Sequence, residues 1–214
     1  MAGKFISLEG IEGAGKSTLA RALEQALSAR GLAVCCTREP GGTSLAEQLR
    51  RVVLTRGSEH IGAEAETLLM FAARSIHLDN LVRPALRAGI WVICDRFTDA
   101  TRAYQGAGRG VDRALIEHLA AAVHADTWPH RTLLLDLPVS DGIGRARSRG
   151  AAADRFETEE QAFFERVRAG YLQIAAAEPQ RVQVLDALAA APTVAQRALA
   201  ALADLLPPAA AGHR

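Results

Sequence analysis

The chain has 214 residues, 49% hydrophobic but only 5% aromatic, with 25 basic and 24 acidic side chains and a net charge of +1. That length fits one α/β domain with a substantial core built from aliphatic side chains. The balanced charge excludes a broad basic field for nucleic acid, so an anion must be held by local clusters. No apolar run spans a membrane and no signal peptide is evident, which places the expected protein in the cytoplasm.

A short β-capable run, 4–9, opens the chain. It leads into Gly10-Ile11-Glu12-Gly13-Ala14-Gly15-Lys16-Ser17, which reads G-x-x-x-x-G-K-[ST], the phosphate-binding loop. Glycines let successive N–H groups curl toward a polyphosphate. Lys16 is placed to reach β- and γ-phosphates, and the Ser17 hydroxyl to ligate Mg²⁺, with Thr18 next on the helix. The helix predicted over 16–30 carries Leu19, Leu23 and Leu27 on one stripe. Its N-terminus adds partial positive charge to the loop.

Strand and helix then alternate. Further strands are predicted at 33–37, 90–95, 131–137 and 181–186. Helices are predicted at 43–55, 63–88, 111–123, 139–149, 158–177 and 191–206. Gly31 and Gly89 stand where helices should stop. Ile90-Trp91-Val92-Ile93-Cys94 and Thr132-Leu133-Leu134-Leu135 are nearly continuous apolar runs, as in strands covered on both faces. The expectation is a five-stranded parallel sheet between helix layers, with ligands beyond the carboxyl ends of its strands. Residues 1–206 form one domain in this reading, and 207–214 a flexible tail. Cys35, Cys36 and Cys94 read as small buried hydrophobes in a reducing compartment, since no zinc or redox spacing is present.

Other constellations fall at the same rim. After the second strand comes Thr37-Arg38-Glu39-Pro40-Gly41-Gly42, where Arg38 offers a fork to phosphate and the Glu39–Pro40 bond is a candidate for the cis form. Phe71 and Arg74 share a helix face at i, i+3. Asp95-Arg96 closes the 90–95 strand, a placement that suits Mg²⁺ and a second phosphate; Asp136 is a rival carboxylate. Tyr104-Gln105-Gly106 opens a glycine-rich stretch in which the amide of Gln105 can meet a base edge. Arg145, Arg147, Arg149 and Arg155 bracket a loop that reads as a lid over about 145–157.

Together these motifs resemble the bacterial thymidylate kinases, within the P-loop nucleoside monophosphate kinases, in order and spacing from about residue 4 to 205. The resemblance implies a P-loop three-layer sandwich, transfer of the ATP γ-phosphoryl to dTMP to give dTDP, Mg²⁺ as cofactor and a homodimer. It implies that Phe71 stacks on thymine, Arg74 bonds its O4, and Gln105 bonds the N3 region with Thr101 nearby. It places Tyr104 against the sugar, Arg38 and Arg96 on the monophosphate beside Pro40, and Asp95 on Mg²⁺. Glu9 falls near the sugar or metal shell. Some members carry an arginine inside the phosphate loop; here Glu12 holds that slot and counts with the catalytic set. The cation is then expected from Arg147 or Arg149, with Arg155 next. Rival readings are a different small-molecule kinase and a GTPase-like switch. The guanine-reading N-K-x-D is missing, because the only Asn is Asn80, followed by Leu81.

Overall fold

The structure, a computed structural model, describes residues 3–55, 59–148, 156 and 159–207. Its centre is a parallel sheet of five strands: β1 (Phe5–Glu9), β2 (Val34–Arg38), β3 (Trp91–Asp95), β4 (Arg131–Asp136) and β5 (Val182–Asp186), in the order β2-β3-β1-β4-β5. β1 is central, pairing Leu8 with Asp95 on one side and with Leu133 on the other. That register brings the ends of β1 and β3 side by side, so the phosphate loop after β1 and Asp95-Arg96 share one rim.

Side chains alternate between the two faces, as strand geometry dictates. Ile6, Leu8, Ile93, Leu133 and Leu135 pack with Leu19, Leu23 and Leu27 of α1 (Lys16–Ser28) and with Val194 and Ala198 of α9 (Ala191–Ala201). On the other face, Leu134 and Val182 pack with Phe164, Val167 and Tyr171 of α8 (Gln161–Ala177). Phe5, Val92 and Cys94 pack there with Leu78 and Val82. The remaining helices are α2 (Ser44–Leu54), α3 (Ala63–His77), α4 (Arg83–Arg87), α5 (Thr98–Thr101), α6 (Arg113–His124) and α7 (Val139–Arg147).

The helix expected over 63–88 is continuous in direction but not in type. α3 passes into α4 through a π-helical turn, Leu78–Val82. Pro84 stands in the first turn of α4, has no N–H for the carbonyl four residues back and crowds that turn, so the coil widens before it. A second difference is larger. The glycine-rich stretch after residue 101 is helical: α5 runs directly into a π-helix, Arg102–Gly108. Close approach of α8 explains those glycines. A Cβ on Gly108 would lie 2.6 Å from the Phe163 ring, and one on Gly170 would lie 2.6 Å from the Ala107 Cβ. Cys94 is buried, but Cys35 is half-buried and Cys36 exposed, because β2 is an edge strand; all three are free thiols. The expected tail beyond Pro207 lies outside the described residues.

Candidate active site

The phosphate loop joins the central strand to α1. Lys16 is buried and its Nζ donates to the carbonyls of Gly10 and Ile11, each at 3.0 Å. Gly13 has φ 78°, a conformation open to glycine, and a Cβ there would strike the carbonyl of Gly142 on α7. A Cβ on Gly142 would in turn lie 2.7 Å from the Glu12 carbonyl. Two glycines thus let α7, which leads into the expected lid, lie directly on the loop. Around it opens a cleft of about 780 Å³, lined by Glu12 to Leu19, Arg38, Asp95, Arg96 and Arg145, with Ala187, Ala189, Pro192 and Val194 as its apolar wall. Arg145 is tied to that wall, since its Nη1 donates to the Ala187 carbonyl at 3.0 Å.

A second cleft adjoins the first. Its walls include Pro40, Leu54, Met70, Arg74, Thr101, Tyr104, Gln105 and Phe156. Glu12, Glu39, Arg50 and Arg96 line both clefts, so the two meet along these side chains. The Glu39–Pro40 peptide is cis, and the Pro40 carbonyl accepts from Arg50 Nη1 at 2.8 Å. Arg74 is buried. Its Nε donates to Glu39 at 2.7 Å and its Nη2 to Thr101 at 3.0 Å, while Nη1 has no partner among the described residues. Glu39 also meets His77 Nδ1 at 2.9 Å, and His77 Nε2 meets the Thr37 hydroxyl at 2.8 Å. Arg74 is therefore held in one geometry by β2, α3 and α5 together.

Where the clefts meet, charge is concentrated. Arg96 Nη2 lies 2.7 Å from Glu12 Oε1, Arg96 Nη1 donates to the Tyr171 hydroxyl at 3.1 Å, and Tyr104 donates to Glu12 Oε2 at 2.6 Å. Burial works to raise the Glu12 pKa, but Arg96 and Lys16 outweigh it and hold the carboxyl below the usual range. Burial, with Arg96 adding repulsion, brings Lys16 down to about 8. Burial and then Asp99 push Glu9 up to about 8, against Arg96 and the hydrogen bonds from Tyr171 and the Phe97 amide.

A parallel sheet ending in a glycine-cradled lysine, beside a cleft with a fixed guanidinium, is the layout of a two-substrate phosphotransferase. The family model described as thymidylate kinase matches residues 8–197. The chain belongs to the thymidylate kinase family. The enzyme of that name from Alcanivorax borkumensis is 54% identical over 187 residues, 87% of this chain and 89% of its own length. The Pseudomonas entomophila thymidylate kinase is 53% identical over 203 residues, covering 94% and 95%. A crystal structure of thymidylate kinase from Ehrlichia chaffeensis superposes with a TM-score of 0.76 at 32% identity, covering 94% of this chain and 99% of that one. Thymidylate kinases phosphorylate dTMP with ATP.

Against the family expectations, the structure brings Glu12, Lys16, Ser17, Arg38, Asp95 and Arg96 to the first cleft. It brings Pro40, Arg74, Thr101, Tyr104 and Gln105 to the second. Phe71 does not line the second cleft. It is buried at 2% exposure, with its ring parallel to that of His124 at 6.4 Å. Met70, one residue earlier and four before Arg74, forms the wall instead. Glu9 is buried below both clefts, with each oxygen accepting a hydrogen bond. Asp136 is ion-paired with Arg168 at 2.7 Å and lines neither cleft, whereas Asp95 does and its Oδ1 is buried without a partner among the described residues. Arg147 is exposed on the last turn of α7; Arg149 and Arg155 lie outside the described residues. Arg50, Leu54, Met70 and Phe156 were not legible as site residues. Arg50 and Leu54 share one face of α2 at i, i+4, as Met70 and Arg74 do on α3, and that shared spacing was the available signal.

Proposed function

We propose that the first cleft takes ATP and the second dTMP, and that the γ-phosphoryl passes between them at Glu12, Arg50 and Arg96. As a thymidylate kinase the chain converts ATP and dTMP to ADP and dTDP. An anionic oxygen of dTMP forms the new bond to the γ-phosphorus as the bond to the β,γ-bridging oxygen breaks. No general base is needed, because the attacking oxygen already carries charge. Alignment and neutralisation are what the protein must supply. The observation that carries this reading is that the two clefts share Glu12, Glu39, Arg50 and Arg96 along their junction.

Each side chain then has a task. The loop amides and Lys16 hold the β- and γ-phosphates. Ser17 and Asp95 suit Mg²⁺, a hard cation that takes oxygen ligands, and the unpartnered Asp95 Oδ1 fits that use. Bound there, Mg²⁺ would neutralise charge on the phosphate oxygens. Arg96 and Arg50, with Arg38 at the rim, aim the acceptor phosphate. Met70 supports the pyrimidine ring, Arg74 donates to O4 and Gln105 meets N3. Tyr104 fills the space where a ribose 2′-hydroxyl would project. Arg145 walls the ATP cleft, and Arg147, Arg149 and Arg155 bring lid cations to the transferring group. Three free thiols suit the cytoplasm.

The chain also acts as a homodimer in this reading. Leu45 and Val52 on α2 and Leu68 on α3 are about half exposed on adjoining helices, an apolar surface that a second copy would cover. Sedimentation showing a monomer at micromolar concentration would overturn that part.

The direct test is a panel of monophosphates with MgATP, assayed for diphosphate product. dTMP should lead. dUMP should follow within about 10–200-fold, since one methyl contributes roughly 1–3 kcal/mol. dCMP should be far poorer, because its 4-amino group faces Arg74. A panel led by a purine or by dCMP would refute the assignment.

A further inference from the structure

An amide side chain has two chemically opposite ends, and so does ring position 3 of a pyrimidine. Thymine presents N3–H beside a 4-oxo group; cytosine presents a bare N3 beside a 4-amino group. Whether Gln105 favours one or the other depends on which end of its amide is turned to the cleft. Its neighbours decide this.

Glu66, on the first turn of α3, is fully buried. Its Oε1 accepts from Gln105 Nε2 at 2.7 Å and from Arg109 Nε at 2.9 Å. It forms an ion pair with Arg109, which also donates to Glu159 at 2.9 Å. A carboxylate only accepts, so it can be met only by the amino end of Gln105. The carbonyl end is left for the cleft that Gln105 lines. Arg74 is fixed in the complementary sense. Glu39 and Thr101 take Nε and Nη2, and Nη1, a donor, is left over. Arg74 and Gln105 thus leave one unpartnered donor and one acceptor, the first set by Glu39 and the second by Glu66.

We propose that Glu66 is the positioning residue for pyrimidine selection: by anchoring the amino end of Gln105 it turns the carbonyl toward N3–H, which admits thymine and rejects cytosine. This rests on the dTMP-kinase reading above. It extends that reading to a residue that lines neither cleft and meets Gln105 from behind.

Glu66→Met tests it, because methionine has similar length and offers no comparable acceptor. The ratio of kcat/KM for dTMP over dCMP should fall at least about tenfold, through a raised KM for dTMP with the KM for ATP held within about twofold. In a Gln105→Ala background, the same substitution should leave the ratio unchanged. A folded Glu66→Met protein with the wild-type ratio overturns the proposal, and so does an equal loss in the Gln105→Ala background. If Glu66→Met does not fold by thermal melt, Glu66→Met/Arg109→Met removes both charges of the pair, a replacement that buried ion pairs often tolerate, and the same ratio is expected to fall. A wild-type enzyme that does not phosphorylate dTMP sinks the functional reading and this inference with it. A wild type that prefers dTMP, with a folded variant equally selective, sinks this inference alone.

Discussion

Arg96 sits at φ 73°, a left-handed conformation that costs a non-glycine residue on the order of 1–3 kcal/mol. Contacts with Glu12, Tyr104 and Tyr171 hold its guanidinium between the two clefts. Lys16 lines the first of these clefts. Lys16→Ala should lower kcat at least about 100-fold, as loss of one preorganised charge stabiliser does; a steady-state assay showing near-normal turnover removes it from the phosphate site. Met70 and Phe71 separate recognition from packing. Met70→Ala should raise the KM for dTMP and leave the melting temperature nearly unchanged. Phe71→Ala should cost about 3–5 kcal/mol of stability in denaturant titration, with the smaller effect on KM. The reverse pattern would return the stacking role to Phe71. The phosphate loop and Asp95-Arg96 were legible in the sequence because their chemistry is encoded in consecutive residues. Met70 was not, since an apolar residue beside an aromatic one does not reveal which of them faces the cleft. Arg50 was hidden for a similar reason: an arginine on a helix is usually a solvated one.

At the scale of elements, the sheet was readable from its apolar runs, and every strand lies within about a residue of its expected ends. The helical stretch after Thr98 was not readable. Gly106 and Gly108 depress helix propensity there, and only the partner helix explains them. Gly108 faces Phe163 and Val167, and Gly170 faces Ala103 and Ala107, so α8 and the π-helical turn meet almost backbone to backbone. That contact carries Tyr104 and Gln105 into the second cleft. Gly170→Ala should therefore destabilise the protein by about 1–3 kcal/mol, as overpacking does, measured by urea unfolding. A neutral result would mean that this seam yields freely and does not set the position of Gln105.

For the whole molecule, the buried titratable groups give a pH signature. Burial, followed by repulsion from Arg74, lowers His124 to about 4 from 6.5. The ring is fully buried among Phe71, Phe97 and Trp128. Between those two values the unfolded chain binds a proton that the folded chain refuses, so this contribution to stability is present above about 6.5 and lost as pH falls toward 4. Glu9, raised to about 8, acts in the opposite sense, its contribution falling as pH rises from 4.5 through 8. Comparing wild type with His124→Phe cancels the Glu9 effect. The wild type should lose about 1–2 kcal/mol relative to the variant between about pH 7 and 5. A difference independent of pH would show that His124 titrates normally in the folded protein.

In the proposed complex two nucleotides meet end to end at one rim of the sheet, with the acceptor base held between Met70, Arg74 and Gln105. A crystal structure with dTMP and a non-hydrolysable ATP analogue tests it most directly. Thymine O4 should lie on Arg74, N3 on the Gln105 carbonyl, and the monophosphate at Arg96 and Arg50 pointing toward the γ-phosphate above Lys16. A pyrimidine seated against the apolar wall of Ala187 and Pro192, or a monophosphate directed away from Lys16, would contradict it.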